Sequence, residues 1–136
     1  MSIVADTSAF VAVLNNESDA PLYRRCLLGA ESVLVSAATA VELHIVVTVR
    51  LGAEGILQLE RLLAQPLFEI VPVDQKLMIL ANQAYERYGK GRHPAKLNFG
   101  DLFSYALAKS RNLPLLYKGD DFTRTDLEAA ISDEHR

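Results

Sequence analysis

Four short, largely apolar runs, separated by segments long enough to form helices, constrain the fold of this chain more than any other feature. The runs are residues 3–5, 33–35, 68–71 and 115–117. Strands that are apolar on both faces belong to parallel sheets, because the crossover helices of such sheets cover both sides. The sequence therefore predicts an α/β fold with a central parallel sheet between two layers of helices.

The segments between these runs carry helix start and stop signals. Ser36 and Asp74 are favourable N-caps, and Gly52 is expected to separate two consecutive helices. Five of the predicted helices cover residues 7–14, 37–51, 54–64, 75–88 and 100–111. A further helix is expected to begin at a Ser18 or Asp19 cap and to end at residue 28. No repeat, low-complexity tract or linker interrupts this order. We therefore expect a single domain over residues 1–131, followed by a polar tail at residues 132–136.

Composition limits the class of protein. A chain of 136 residues fits one domain with a real core. The single cysteine, Cys26, rules out an internal disulfide, and no apolar run reaches the ~18 residues of a membrane helix. The N-terminus also lacks the basic region followed by an apolar region that marks a secretion signal. We therefore expect a cytoplasmic protein without membrane association. A net charge of -3 argues against a dedicated non-specific nucleic-acid binder, but not against a nuclease with clustered carboxylates.

Acidic residues stand beside three of the apolar runs. Asp6 directly follows the first run, and Glu42 lies on the helix after the second. Asp101 opens the helix before the fourth run, and Asp120 and Asp121 come just after that run, following Lys118 and Gly119. Each alone is explained equally well as a helix cap, a solvated side chain or a turn former. Because ligands of parallel sheets bind beyond the carboxyl ends of the strands, we expect these acids near one edge.

Clustered carboxylates need a cation. Close carboxylates repel, and the pKa of at least one is raised unless positive charge neutralises them. Mg²⁺ prefers oxygen ligands and keeps several waters, so a few carboxylates suffice, whereas no Cys/His set has zinc spacing. Such a centre suits phosphodiester hydrolysis, because the metal lowers the pKa of a bound water and neutralises charge building on the phosphate. One ion and two ions both remain open.

A basic loop precedes Asp101. Residues 87–100 contain four Lys or Arg side chains and no acid, and Arg92 and Lys96 are our candidates for RNA binding. A local positive excess in an acidic chain could hold a phosphate backbone beside the metal. An ordinary solvated loop explains it as well.

Four stretches together resemble a known family. They are IVADTSAFVAVL at the N-terminus, TAVEL around Glu42, KLNFGDLFSYALAK around Asp101, and LLYKGDDFTRTD near the end. In order and spacing they resemble a PIN-domain ribonuclease, and more closely the VapC toxins of type II (VapBC) toxin–antitoxin systems. The resemblance spans nearly the whole chain.

This resemblance implies a fold, an activity and a site. The fold is a three-layer α/β/α sandwich with a central parallel sheet of four to five strands. The activity is Mg²⁺- or Mn²⁺-dependent endonucleolytic cleavage of RNA, often a structured RNA such as tRNA or rRNA. Asp6, Glu42 and Asp101 match the family's metal-binding and catalytic acids, and Ser8 matches a polar position beside the metal.

The fourth acid is ambiguous in the resemblance. Many relatives carry it two residues before the Asp-Phe pair, where this chain has Gly119. The sequence offers Asp120 instead, with Asp121 adjacent. We expect Asp120 to be the fourth catalytic and metal-binding acid, with Asp121 in a supporting role.

The resemblance also implies partners and leaves alternatives. A VapB-type antitoxin would wrap the toxin and push a basic side chain into the acidic pocket. Toxins of this type usually form homodimers, and the apolar helices of residues 39–64 are candidates for the dimer interface. A non-catalytic RNA- or partner-binding module with the same fold is the main alternative, and a DNA nuclease is a further one. A signalling receiver domain fits less well, because it needs adjacent acids after the first strand, where Asp6 stands alone.

Overall fold

Strands and helices follow the predicted order within residues 1–131, which are the residues that the computed structural model describes. The elements are β1 Ile3–Ala5, α1 Thr7–Leu14, α2 Ala20–Leu28, β2 Val33–Ser36, α3 Ala37–Leu63, β3 Phe68–Val71, α4 Gln75–Tyr88, α5 Phe99–Arg111 and β4 Leu115–Leu116. All four apolar runs form strands, as predicted. The polar tail expected at residues 132–136 lies outside the described residues.

The sheet is parallel, with the strand order β3-β2-β1-β4. β1 lies in its interior, where Ile3 pairs with Val33 of β2, and Val4 pairs with Leu115 of β4. On the far side of β4, Leu115 forms a parallel bridge with Ala129, so a short fifth segment extends the sheet. The chain winds from β1 toward β3 and then crosses to β4 on the opposite side of β1. This reversal creates a crevice beyond the carboxyl ends of β1 and β4, where such folds bind ligands.

Helices cover both faces of the sheet. Alternate strand residues point to opposite faces, so Ile3 packs in a cluster with α1, α2 and α3, while Val4 packs in a second cluster with α4 and α5. Phe10 and Leu43 centre the first cluster, and Leu107 centres the second. The predicted three-layer α/β/α arrangement is therefore confirmed. Within residues 1–131, no helix has the length and apolarity needed to cross a membrane.

The long helix α3 contains a break at Gly52. Its φ of 67° and ψ of -159° lie outside the helical region, in a conformation that favours glycine. Two helical segments therefore meet at this residue, which agrees with the prediction of separate helices before and after Gly52. The first segment, residues 37–51, passes the crevice at the sheet edge.

Helix α5 begins one residue earlier than predicted. Asn98 is its N-cap: the Asn98 Oδ1 accepts a hydrogen bond from the Asp101 amide at 3.0 Å. The Asp101 Oδ2 in turn accepts one from the Asn98 amide at 3.0 Å. This reciprocal pair satisfies two backbone donors at the helix start and draws Phe99 into the first turn. The same pair fixes the Asp101 carboxylate beside the crevice.

Candidate active site

A cavity of about 350 Å³ occupies the crevice beyond β1 and β4. Four of the predicted acids line it: Asp6, Glu42, Asp101 and Asp121. They come from the end of β1, the first segment of α3, the start of α5 and the loop after β4. The predicted polar residue Ser8 lines the same cavity.

Both carboxylate oxygens of Asp6 are held by hydroxyl groups. The Asp6 Oδ2 accepts hydrogen bonds from the Ser8 Oγ at 2.7 Å and the Ser8 amide at 3.1 Å, so Asp6 also caps α1. The Asp6 Oδ1 accepts a hydrogen bond from the Ser104 Oγ at 2.6 Å. Ser104 is only 1% exposed, and its hydroxyl lies 3.2 Å from that of buried Thr39. Asp6 is therefore fixed in one orientation at the cavity wall.

Ser104 was not identified from the sequence. Its signal was a hydroxyl three residues after Asp101, on the buried face of an otherwise apolar helix. A buried polar side chain needs a partner, and here that partner is Asp6, 98 residues away in the chain. Only the fold could identify that partner.

Glu42 occupies space left by a glycine. A Cβ atom added at Gly100 would lie 1.9 Å from the Glu42 Oε2, far closer than two nonbonded atoms can approach. The Thr7 Oγ1 donates a hydrogen bond to the other oxygen, Oε1. Neither residue was identified from the sequence, because the close approach of Gly100 to Glu42 depends on how α3 packs against α5. Gly100 and Thr7 together define where the Glu42 carboxylate lies.

Asp101 carries the most perturbed carboxyl group of the cavity. It is 7% exposed, and its pKa is raised to about 8, with burial as the largest cause. The negative charges of Asp6 and Asp121 and a hydrogen bond to Asp121 contribute to this raised pKa, whereas the hydrogen bond with Asn98 opposes it. Without a cation, the surroundings of Asp101 therefore favour its protonated form. A cation bound at the cavity would replace that proton.

Asp121, rather than Asp120, lies beside the other three acids. Asp121 lines the cavity and interacts with Asp101, whereas Asp120 is not among the lining residues. The Asp120 carbonyl accepts hydrogen bonds from the amide and the hydroxyl of Thr123, at 3.2 and 2.7 Å. A tight turn that follows Gly119, whose φ is 102°, thus brings the second acid of the pair to the cavity.

The two predicted RNA-binding residues lie away from this cavity. Arg92 and Lys96 are exposed in the loop between α4 and α5, and neither lines it. The Arg92 Nε donates a hydrogen bond to the Glu86 carbonyl at 3.2 Å, and its guanidinium lies 5.6 Å from the Tyr85 ring centroid. The structure therefore does not place these two cations among the residues that line the cavity.

Two other cations line the cavity. Lys118 follows β4, and its ammonium group forms ion pairs with Glu17 and with Asp19, the latter at 2.9 Å. The hydrogen bonds that the ammonium group donates to these two carboxylates raise the pKa of Lys118. The second cation, Arg50, lies on the first segment of α3, on the same helix as Glu42.

The donor set fits a hard divalent cation. Carboxylate and hydroxyl oxygens line the cavity, and no cysteine or histidine does, which suits Mg²⁺ or Mn²⁺ and not zinc. Among residues 1–131, no group of three or more acidic, histidine or cysteine side chains is arranged so that it could hold a metal ion. Mg²⁺ keeps several of its waters, so it needs only one or two direct carboxylates.

Known proteins share both the sequence and the fold. The PIN domain family model matches residues 3–128. Ribonuclease VapC of Mycolicibacterium smegmatis is 44% identical over 127 residues, which cover 93% of this chain and 98% of that protein. At this identity and coverage, a receiver domain is excluded.

Two solved structures support the fold independently. The Mycobacterium tuberculosis toxin VapC20, described as cleaving the sarcin-ricin loop, superimposes with a TM-score of 0.75 at 19% identity, covering 92% of this chain and 95% of that one. The DNA-bound VapBC of Salmonella typhimurium gives 0.75 at 18% identity, covering 95% and 96%. Family model, sequence relatives and fold agree, and the chain belongs to the PIN-domain family, within its branch of metal-dependent VapC ribonucleases.

Proposed function

We propose that this chain is the toxin of a type II toxin–antitoxin pair and hydrolyses RNA phosphodiester bonds as a Mg²⁺-dependent endoribonuclease. The observation that carries the proposal is the convergence of Asp6, Glu42, Asp101 and Asp121, from four chain segments, on one cavity. A structural role does not require four carboxylates in one place, because their mutual repulsion destabilises the fold. A cation-dependent reaction does require them.

We assign the metal site to these four acids, with Asp121 in the place expected for Asp120. Bound Mg²⁺ supplies charge neutralisation at the phosphate and a water of lowered pKa. Mn²⁺ accepts the same oxygen ligands and would substitute. Ser8 and Ser104 hold Asp6 in the orientation that a ligand needs, and Gly100 leaves the room that Glu42 occupies. Asp101 gives up its proton on cation binding.

The first test compares wild type with Asp101→Asn on total cellular RNA, with Mg²⁺ and with EDTA. The Asn side chain keeps an oxygen for the Asn98 amide, so the helix cap survives while the charge is lost. We expect discrete fragments from wild type with Mg²⁺ only, and at least a ~100-fold slower reaction from the variant.

Asp74→Asn is the matched control, because Asp74 also caps a helix, α4, but does not line the cavity. It should cut as wild type does. No cleavage by folded, antitoxin-free wild type would instead support the non-catalytic binding module.

For the partner, we propose a VapB-type antitoxin. A neighbour in fold, from Salmonella typhimurium, is a VapBC complex. An antitoxin arginine could enter the acidic cavity, where a guanidinium can pair with a carboxylate through two parallel hydrogen bonds and replace the charge of the metal. Competition between this partner and Mg²⁺ for the same acids would be the expected result.

We also propose a homodimer through the apolar face between α3 and α5. Val41, Ile45 and Phe99 are 62%, 57% and 77% exposed there, and with Phe103 they line a groove of about 260 Å³. Contiguous exposed apolar surface marks an interface. Only the first half of the predicted stretch, residues 39–64, contributes to this face, and α5 supplies the rest. In this proposal, a second copy of the chain covers the apolar face.

Light scattering tests the dimer. Wild type should have twice the 15.0 kDa mass of the chain, and Ile45→Asp should be monomeric. Met78→Asp, which places the same charge on an exposed apolar residue of α4, should stay dimeric.

The substrate that we propose is a structured cytoplasmic RNA, such as tRNA or rRNA. The support is the fold shared with VapC20, a toxin described as cleaving the sarcin-ricin loop. Sequencing the ends of the fragments from the cleavage assay would identify the target.

A further inference from the structure

We infer that Arg50 binds a phosphate of the RNA backbone at one end of the acidic cavity. The inference rests on the proposed ribonuclease function and adds a substrate contact to it. Neither the motifs of the sequence analysis nor the basic loop at residues 87–100 includes this residue.

The first support is its position on the helix. Glu42, Val46 and Arg50 are spaced four residues apart on the first segment of α3, so they share one face of the helix. All three line the cavity. Arg50 therefore lies about 12 Å along the helix axis from Glu42, at the rim of the same space. An RNA strand with its scissile phosphate at the acids would pass a neighbouring phosphate along this helix face.

The second support is the ion pairing of the two cations that line the cavity. Lys118 is already engaged by Glu17 and Asp19. Arg50, by contrast, forms no ion pair with any carboxylate in the described part of the chain, residues 1–131. Its guanidinium is thus available for an anion from outside.

The third support is electrostatic. The acids that hold a metal repel the phosphates on either side of the scissile bond, so an RNA strand needs a compensating cation nearby. Arginine suits this task, because its planar guanidinium donates two parallel hydrogen bonds to one phosphate. Among the described residues that line the cavity, Arg50 is the cation that has no ion pair with a carboxylate and can donate these hydrogen bonds.

A purely structural role would make a different prediction. Arg50 lies in the last turn before the break at Gly52, where a positive side chain also stabilises the helix end. If that were its only role, its removal would lower thermal stability and leave RNA binding unchanged.

The experiment measures binding of a short single-stranded RNA by fluorescence anisotropy across a salt series. All proteins carry Asp101→Asn, so that the RNA stays intact. We compare Arg50→Gln, Arg50→Lys and the control Arg61→Gln, which removes an exposed arginine from the last turn of the same long helix. Arg50→Gln should weaken binding about tenfold and lower the slope of log affinity against log salt by about 0.7, the value for one phosphate contact on a single strand.

The other two variants calibrate this result. Arg50→Lys should recover part of the affinity, and Arg61→Gln should bind as its parent does. In the Asp101 wild-type background, Arg50→Gln should leave the Mn²⁺ affinity unchanged by calorimetry, because Arg50 does not hold the metal. Equal affinity and equal salt slope for Arg50→Gln and Arg61→Gln would overturn the inference, whether or not stability falls.

The two proposals fail in different ways. Cleavage by wild type together with unchanged RNA binding by Arg50→Gln would refute only the role of Arg50. Absence of metal-dependent cleavage by wild type would refute the ribonuclease proposal, and the substrate contact with it.

Discussion

Replacing Gly100 with alanine should damage the active site without damaging the fold. The new Cβ would lie 1.9 Å from the Glu42 Oε2, whereas ordinary contacts begin at 3.4 Å. The carboxylate must therefore retreat by about 1.5 Å, because the side chain of Glu42 is flexible and the helix backbone is not. The retreat would also break the hydrogen bond from Thr7.

The expected effect of Gly100→Ala is small for stability and large for function. Alanine is favoured over glycine in a helix by about 0.5–1 kcal/mol, which offsets the local crowding, so the free energy of unfolding should stay within about 1 kcal/mol of wild type. Metal–ligand distances tolerate only about 0.2 Å, so a displaced carboxylate should weaken divalent-ion binding about 10- to 100-fold. Misplacement of this size should also slow cleavage about 100-fold.

The assay is a double-mutant cycle between positions 100 and 42. We would measure Mn²⁺ affinity by calorimetry and RNA cleavage rate for wild type, Gly100→Ala, Glu42→Ala and the double variant. With Glu42 truncated there is no carboxylate to displace, so Gly100→Ala should then cost nothing further. The coupling energy should approach the full effect of Gly100→Ala alone.

Two results would refute this reasoning. Wild-type metal affinity and cleavage in Gly100→Ala would mean that Glu42 does not need the space. An equal loss in the Glu42→Ala background would mean that the glycine acts through the helix and not through Glu42.

Three further predictions concern the other acids. Between about pH 4 and 8, the raised pKa of Asp101 lets the folded, metal-free protein keep a proton that the unfolded chain has already lost. Stability without metal should therefore fall as pH rises through that window, and Mg²⁺ should raise the melting temperature more at pH 8 than at pH 5. A flat profile for wild type would contradict this. Ser104→Ala should leave the Asp6 Oδ1 without its buried hydrogen-bond donor. We expect urea denaturation to show a free energy of unfolding lower by about 1–3 kcal/mol, and Mn²⁺ binding to weaken. Unchanged values would show that Ser104 does not position Asp6. Asp121→Asn should slow cleavage at least about tenfold while Asp120→Asn stays near wild type, and the reverse order of rates would restore Asp120 as the fourth acid.

Much of the fold could be predicted because its signals are local. The four strand positions followed from apolar runs, and the break in α3 followed from Gly52, whose backbone conformation suits glycine. The start of α5 was misjudged by one residue because Asn98 reads as a loop residue until its reciprocal hydrogen bonds with Asp101 are known.

The acids were predictable as a group, because topology alone brings strand ends together. Asp120 and Asp121 could not be told apart from the sequence, because they are neighbours and the turn after Gly119 determines which of them lines the cavity. Ser104 was invisible because its partner is 98 residues away.

The basic residues that line the cavity were harder to identify from the sequence than the acids. Local charge density drew attention to Arg92 and Lys96, which the structure places away from the acids. Arg50 stood alone in an apolar helix, and only the fold brings it to the cavity. Charge density along the chain therefore did not show which cations line the cavity.

The pairing of β1 with β4 determines when this protein becomes active during its synthesis. Val4 pairs with Leu115, and the site lies at the seam between these first and last strands, with its acids spread from Asp6 to Asp121. Contacts this distant in sequence form late in folding, because the loop between them must close first. A ribosome-bound nascent chain therefore lacks a complete set of these acids until the segment that carries Asp121 has emerged and β4 has paired with β1.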